Sequence, residues 1–152
     1  MRIFHFGHVT AGADGSWGQY ALHLQCPWRL DGPAGVVTGQ GDLWEHATLD
    51  LPPAGWSYEQ GDNLQDARLG ALLVGRDART RSWANNTPGF LVVTDVEATE
   101  HGDLIVALSG GYKLRVWPDS SRGEAWRFFV PQTDAPHFVF RDDGDSAAPL
   151  DA

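Results

Sequence analysis

The chain has 152 residues, of which 42% are hydrophobic and 20% are charged, a balance that suits a folded domain and excludes a disordered chain. Its 20 acidic residues outweigh 11 basic ones and give a net charge of −9. This charge argues against nucleic acid and anionic membrane surfaces as partners, because both bind cationic proteins.

No segment approaches the roughly 20 consecutive apolar residues that a membrane-spanning helix needs. The N-terminal segment Met1–His8 alternates and carries two histidines, so it lacks the apolar run of a secretory signal. Cys26 is the single cysteine, which rules out an internal disulfide and suits a reducing compartment. These features predict a cytoplasmic location.

Alternation predicts one β-strand from Tyr20 to Leu30. Its apolar face would consist of Tyr20, Leu22, Leu24, Cys26, Trp28 and Leu30. The polar face would carry His23, Gln25 and Arg29. A turn at residues 31–33 leads to a partner strand that starts at Val36–Thr38.

One short helix is predicted near residues 63–74, after an irregular loop around residues 50–60. Asp62 or Asn63 would cap it, residues 64–73 include good helix formers, and Gly75 would close it. Residues 76–88 turn polar again and predict an exposed loop.

A three-stranded antiparallel meander is predicted between Gly89 and Pro118. Its first strand alternates an apolar face, which consists of Phe90, Val92, Thr94, Val96 and Ala98, with a polar one. Residues 104–108 form the second strand and residues 112–117 the third. Between them, Gly110 and Gly111 supply the positive φ values that a tight hairpin requires.

Two further strands are predicted at residues 125–130 and 137–140. The fold class is therefore mainly β: an antiparallel meander that forms a sandwich or a partly open barrel, with the one short helix. Residues 1–141 are predicted to form a single globular β-rich domain, and residues 142–152 a flexible acidic tail.

The histidines do not predict a metal site. His5 and His8, like His23 and Cys26, are three residues apart, which puts them on opposite faces of a regular strand, so neither pair can hold one ion unless the strand is irregular. Cys26 lies on an apolar face and is interpreted as a buried thiol. The sequence carries no serine-nucleophile elbow and no phosphate loop, so no catalytic residue and no cofactor are predicted.

The candidate ligand-binding residues are polar side chains interleaved with apolar strand positions. They are His23, Gln25, Arg29, Glu124, Arg127 and His137. If their strands share a sheet, these groups line one concavity with mixed donors and acceptors. The alternative is a solvated outer strand face. Among the seven tryptophans, Trp17, Trp44, Trp56 and Trp83 lie near loops and are candidates for exposure, although core or loop-pinning roles are favoured.

Three segments, at residues 23–29, 124–129 and 137–139, resemble a family of small bacterial proteins of no known activity. The matching residues read His-Leu-Gln-Cys-Pro-Trp-Arg, Glu-Ala-Trp-Arg-Phe-Phe and His-Phe-Val. The resemblance extends from about Tyr20 to Phe140 and implies neither a substrate nor catalytic residues.

The leading functional hypothesis is a non-enzymatic cytoplasmic binding or protein-interaction module. Its negative charge would suit a basic protein partner, as in an inhibitor or immunity-type protein. One alternative is a binder of small molecules or carbohydrates that uses a pocket between strands. A metal-dependent hydrolase is the other, and it requires at least three histidines or carboxylates to converge.

Overall fold

A computed structural model of the protein describes residues 1–12, 15–48, 51–73, 75–76, 83–84 and 87–141. Over these residues the protein is mainly β, with two antiparallel sheets that do not close into a barrel and one short α-helix, as the sequence predicts. The predicted acidic tail lies outside the described residues. Within the described chain, no helix combines the length and the apolar character needed to cross a bilayer.

The strands are, in chain order, β1 (Arg2–Gly12), β2 (Gly15–Leu24), β3 (Trp28–Gly32), β4 (Gly35–Gly39), β5 (Gly75–Arg76), β6 (Trp83–Ala84), β7 (Val93–Ala98), β8 (Leu104–Leu108), β9 (Tyr112–Val116), β10 (Glu124–Phe129) and β11 (Phe138–Arg141). Helix α1 spans Leu64–Leu72. Short 3₁₀ helices occupy Gln40–Trp44, Tyr58–Gln60 and Ser109–Gly111.

The chain divides into two compact units. The first contains the described residues of Met1–Pro27, Ala98–Asp103 and Val116–Ala152, and the second contains those of Trp28–Glu97 and Leu104–Arg115. A four-stranded sheet has the order β1-β2-β10-β11, a five-stranded sheet the order β4-β3-β9-β8-β7, and β5 pairs with β6. The prediction of a single domain over residues 1–141 stays a prediction.

The alternation between residues 20 and 30 identifies buried side chains correctly, with one exception. The buried members are Leu22, Leu24, Cys26, Trp28 and Leu30, whereas Tyr20 is 37% exposed. Tyr20 stacks on Phe128 of the neighbouring strand, with ring centroids 5.5 Å apart. The apolar pattern therefore marks the buried face well, but it does not show where along the strand the covering layer ends.

The prediction of one continuous strand from Tyr20 to Leu30 is wrong. Strand β2 ends at Leu24 in the four-stranded sheet, and β3 begins at Trp28 in the five-stranded sheet. The break lies at Pro27, which has no backbone N–H to donate to a ladder. Its carbonyl instead accepts a hydrogen bond from the Trp117 amide at 3.1 Å.

Helix α1 begins where the sequence predicts. Asn63 is its N-cap, and the side-chain oxygen accepts a hydrogen bond from the Asp66 amide at 2.8 Å. The predicted closing glycine is wrong, because Leu73 is the C-cap with φ −101° and Gly75 already belongs to β5. Buried Gln65 donates to the Gly39 carbonyl of β4 at 2.8 Å and joins the helix to that strand.

The predicted meander is confirmed as β7, β8 and β9, which are neighbours in the five-stranded sheet. Gly110 and Gly111 have φ values of +76° and +80°, as their turn requires. The first strand begins at Val93 rather than Phe90, because Leu91 has φ +53° and interrupts the extended backbone. All six residues of β7 are exposed, so the apolar face predicted for this strand is uncovered.

Candidate functional site

The end of the β2–β10 strand pair carries a hydrogen-bonded ion pair. Glu124 Oε1 accepts hydrogen bonds from Gln25 Nε2 at 2.7 Å and Arg127 Nε at 2.6 Å, and Oε2 accepts one from Arg127 Nη2 at 2.5 Å. The hydrogen bonds from Arg127, assisted by Gln25, lower the pKa of Glu124 although its partial burial opposes the change. Glu124 is therefore held as a carboxylate.

A β-bulge makes this pair possible. Residues three apart on a regular strand point to opposite faces, but Glu124 pairs with Arg141 and Trp126 pairs with Phe140, which leaves Ala125 as an extra residue in β10. Ala125 and Trp126 are both buried as a result. The bulge returns the next side chain, that of Arg127, to the face that carries Glu124.

Two histidines flank the pair. Arg127 lies directly opposite His23 of β2, and its Nη1 is 3.5 Å from His137 Nδ1. Desolvation, reinforced by the positive charge of Arg127, lowers the pKa of His23. The buried Nε2 of His23 has no hydrogen-bond partner among the described residues. These five side chains form what we call the polar cluster: His23, Gln25, Glu124, Arg127 and His137.

Arg29, the remaining candidate, is not part of the polar cluster. The prediction that it shares a strand face with His23 and Gln25 is wrong, because it lies on β3 in the second unit. There its Nε is 2.7 Å from Asp31, whose other carboxylate oxygen is 2.7 Å from Arg115 Nε. Desolvation raises the pKa of Asp31, but the hydrogen bonds from Arg115 and Arg29 outweigh it and the net pKa is lowered.

A second surface was not among the predicted sites. It lies where the backbone amide of Leu64 donates to the Glu45 carbonyl at 2.8 Å and Ala47 donates to Asp62 at 2.7 Å. These bonds bring two aromatic segments together, so that the rings of Trp44 and Tyr58 meet edge to face at 4.6 Å. We call this surface the acidic aromatic patch; it consists of Trp44, Glu45, Tyr58, Glu59 and Asp62.

The charged residues of the acidic aromatic patch are all acidic, and Glu45, Glu59 and Asp62 are exposed to solvent. Trp44 is 60% exposed, which corrects the core or loop-pinning role favoured for it. By contrast, Trp56 is loop-pinning, since its Nε1 donates to the Gly61 carbonyl at 3.1 Å. No lysine or arginine occurs in the sequence between Arg29 and Arg68. That gap in basic residues was the sequence signal for this surface. The side chain of Trp83 lies outside the described residues.

A shallow pocket of about 430 Å³ lies beside β1 and β2. Its lining includes His8, Thr10, Trp17, Gln19, Val130 and Pro131, and it involves none of the predicted site residues. A second β-bulge shapes this region, because the β1–β2 register shifts between Phe6 and Val9. The shift places His5 and His8 on one face, where a regular strand would separate them. His5 Nδ1 accepts a hydrogen bond from the Gly18 amide at 3.2 Å.

Two further features of the described residues concern metal binding and the thiol of Cys26. Over the described parts of the chain, no three histidine, cysteine, aspartate or glutamate side chains are grouped to hold a metal ion. Cys26 is a free, buried thiol, and desolvation raises its pKa to about 11. The thiol is therefore protonated at neutral pH.

Comparison with known proteins adds no assignment. No family model matches the chain, and no curated protein or solved structure is significantly similar to it.

Proposed function

We propose that this protein is a non-enzymatic binding module that recognises a basic polypeptide through the acidic aromatic patch. The observation that carries the proposal is the 60% exposure of Trp44 in the same patch as the exposed residues Glu45, Glu59 and Asp62. The stretch of sequence that supplies the patch contains no lysine or arginine between Arg29 and Arg68. A large exposed indole ring in the same patch as carboxylates is a favourable binding site for cationic side chains.

Two physical effects favour such a partner. Guanidinium and ammonium groups bind over an exposed indole face with about 0.5–1 kcal/mol each. The carboxylates of Glu45, Glu59 and Asp62, supported by the net charge of −9, attract the same groups over a longer range and speed their encounter. The ring of Tyr58 packs edge to face with the ring of Trp44.

An inhibitor or immunity-type protein of a bacterial cytoplasm would fit this chemistry. Such a protein covers a basic functional surface of its partner and needs no catalytic group. The buried Cys26 thiol suits a reducing compartment.

Titration with a synthetic deca-arginine peptide tests the proposal. We expect saturable binding that shifts the NMR signal of the Trp44 indole N–H and weakens steeply with added salt. The double variant Glu45→Gln/Glu59→Gln should weaken binding roughly tenfold, because two favourable charges are lost. Trp44→Gln should weaken peptide binding more than this double variant does.

A matched control places the same charge change elsewhere. Glu100, 87% exposed as a side chain, can be changed to Gln together with Asp134→Asn, and this variant should bind the peptide almost as the wild type does. The proposal fails if the Trp44 signal does not move on titration, or if both double variants weaken binding equally.

One observation favours carbohydrate binding as a second candidate function. In the shallow pocket, the aromatic ring of Trp17 lies beside His8, Thr10 and Gln19. A flat ring with adjacent hydrogen-bonding groups suits a sugar face and its hydroxyls. Saturation-transfer NMR with a panel of monosaccharides would detect binding, which Trp17→Ala should abolish and Trp44→Ala should leave intact.

A further inference from the structure

Within the part of the chain that the structure describes, strand β7 is an open edge of the five-stranded sheet. It is the last strand in the order β4-β3-β9-β8-β7, and every residue from Val93 to Ala98 is exposed. The exposed fractions include 40% for Val93 and 55% for Val96. An edge strand with uncovered valines is a template on which another strand can pair.

The opposite edge of the same sheet, strand β4, is in contact with a helix. Helix α1 packs against β4, and Gln65 Nε2 donates to the β4 carbonyl of Gly39. Covering an edge with a helix is a common way to prevent strand addition. Among the described residues, helix α1 thus covers part of the β4 edge, and β7 has no such cover.

The backbone of β7 presents outward amides. The amide of Thr99 donates to the Asp103 carbonyl at 2.9 Å and so points towards the β8 side of the hairpin. Successive amides of a strand point to alternate sides, so those of Ala98 and Val96 point away from β8. The alternation does not extend to Thr94, because the Val92 carbonyl accepts from the Ser109 amide and also faces β8, so it is interrupted before Val96. The Val96 amide donates to the Asp95 side chain at 2.9 Å, as an amide on an open edge can.

The side chains of β7 define what such a strand must carry. Alternation puts Asp95 and Glu97 on one face and Thr94 and Val96 on the other. No lysine or arginine occurs between Arg81 and Lys113, so the acidic face has no basic side chain from its own segment of the chain. A partner strand therefore needs basic residues on one face and apolar residues on the other.

We propose that β7 binds an extended partner segment in which basic and apolar residues alternate. Its backbone would pair with the outward edge of β7, its basic side chains would meet Asp95 and Glu97, and its apolar ones would cover Val96. A second copy of this chain is disfavoured, because it would bring the carboxylates of two β7 strands together. The inference concerns a different surface from the acidic aromatic patch and does not depend on it.

Amide hydrogen exchange of the full chain tests this inference, with a capped (Lys-Val)4 peptide as the probe. We expect the exchange of the Val96 and Ala98 amides to slow at least about tenfold at saturation, since both would enter a strand ladder. A capped (Glu-Val)4 peptide should give no protection. Val96→Pro, which removes one outward N–H at an edge position that tolerates proline, should abolish protection of Ala98.

Two charge variants separate this surface from the patch. Asp95→Asn/Glu97→Gln should weaken binding of (Lys-Val)4 roughly tenfold and keeps the backbone intact even if Val96→Pro fails to fold. Glu45→Gln/Glu59→Gln should leave the protection of β7 unchanged. The inference is overturned by absent protection of Val96 and Ala98, by equal protection with (Glu-Val)4, or by protection that rises with protein concentration alone, which would identify a second copy.

Discussion

Glu124 and Arg127 form a two-pronged ion pair across a β-bulge, with Arg127 Nε and Nη2 bonded to the two carboxylate oxygens. The geometry is the fork-to-fork arrangement in which guanidinium and carboxylate bind most strongly. Gln25, the residue after β2, donates a third hydrogen bond to Glu124. The pair lies within β10 and holds the conformation of the bulge, and Gln25 connects it to the end of β2.

Removing the charge of Glu124 should destabilise the protein. Glu124→Gln keeps the size of the side chain but loses the charge-assisted hydrogen bonds, so we expect the free energy of unfolding to fall by about 1–2 kcal/mol. Urea denaturation at pH 7 measures the change. Glu100→Gln removes a charge from a highly exposed side chain and should stay within about 0.5 kcal/mol of wild type. Equal losses in the two variants would refute the role given to the pair.

The same pair predicts an acid-dependent loss of stability. Because the pKa of Glu124 is lower in the folded protein than its usual value of 4.5, the unfolded chain binds its proton first as the pH falls. The stabilisation is thus complete above pH 4.5 and is lost as the pH falls through the folded-state pKa. The difference in unfolding free energy between wild type and Glu124→Gln should shrink over that range. A difference that is constant from pH 7 to pH 3 would contradict it.

The pKa of His23 should depend on the charge of Arg127. Desolvation and the neighbouring guanidinium both lower the pKa of His23, whereas Glu124 raises it. Arg127→Gln removes the lowering charge and leaves the carboxylate, so the pKa of His23 measured by NMR titration should rise. Arg122→Gln, a change in an exposed loop residue, should leave the pKa of His23 unchanged. A fall or no change in Arg127→Gln would show that the guanidinium does not act on the ring.

Protonation of His23 should also lower the stability of the folded protein. Its folded-state pKa lies below the usual 6.5, so the fold favours the neutral ring. This contribution is complete above pH 6.5 and is lost as the pH falls from there to the folded-state pKa. His23→Gln should remove that part of the pH dependence, as judged by urea denaturation between pH 7.5 and 5. An unchanged dependence in the variant would rule His23 out as its source.

Local patterns located the strands of the meander and the start of the helix, but not the break between β2 and β3. Alternation located the buried side chains of residues 22–30, because a half-buried strand must repeat every two residues. Asn63 was recognisable as a cap, since its short polar side chain satisfies the first amides of α1. Neither signal carries information on which sheet a strand joins, and Arg29 was therefore placed on the wrong one.

The polar cluster depends on a feature that residue spacing hides. Glu124 and Arg127 are three apart, which on a regular strand separates them, and only the extra residue at Ala125 brings them together. Bulges arise from pairing with neighbouring strands and not from a local motif. The acidic aromatic patch was missed for a related reason: Trp44 and Tyr58 are distant in sequence and meet through the bonds of residues 62–64 to residues 45–47.

The thiol of Cys26 should resist modification in the folded protein. It is buried, and its pKa of about 11 leaves almost no thiolate at pH 8. A disulfide reagent such as dithionitrobenzoate should label less than about a tenth of the native protein in the time that fully labels the denatured chain. Rapid native labelling at pH 8 would mean that the thiol is accessible and more acidic than the structure indicates.

Alanine substitutions at Gly102 and Gly55 together test whether the contact between Gly102 and the Phe140 ring is rigid. Both have positive φ, +84° and +80°, so an alanine costs about 1–2 kcal/mol in backbone strain at either position. A Cβ at Gly55 meets open space, whereas one at Gly102 overlaps the Phe140 ring, which stacks on Trp126. Trp126 Nε1 in turn donates to the Gly102 carbonyl at 2.8 Å, so the glycine cannot shift without breaking that bond. Gly102→Ala should therefore lose about 1–3 kcal/mol more than Gly55→Ala in urea denaturation, with the excess arising from overpacking. Equal losses would show that the Phe140 ring can move aside and that the contact does not hold β11 against the loop before β8.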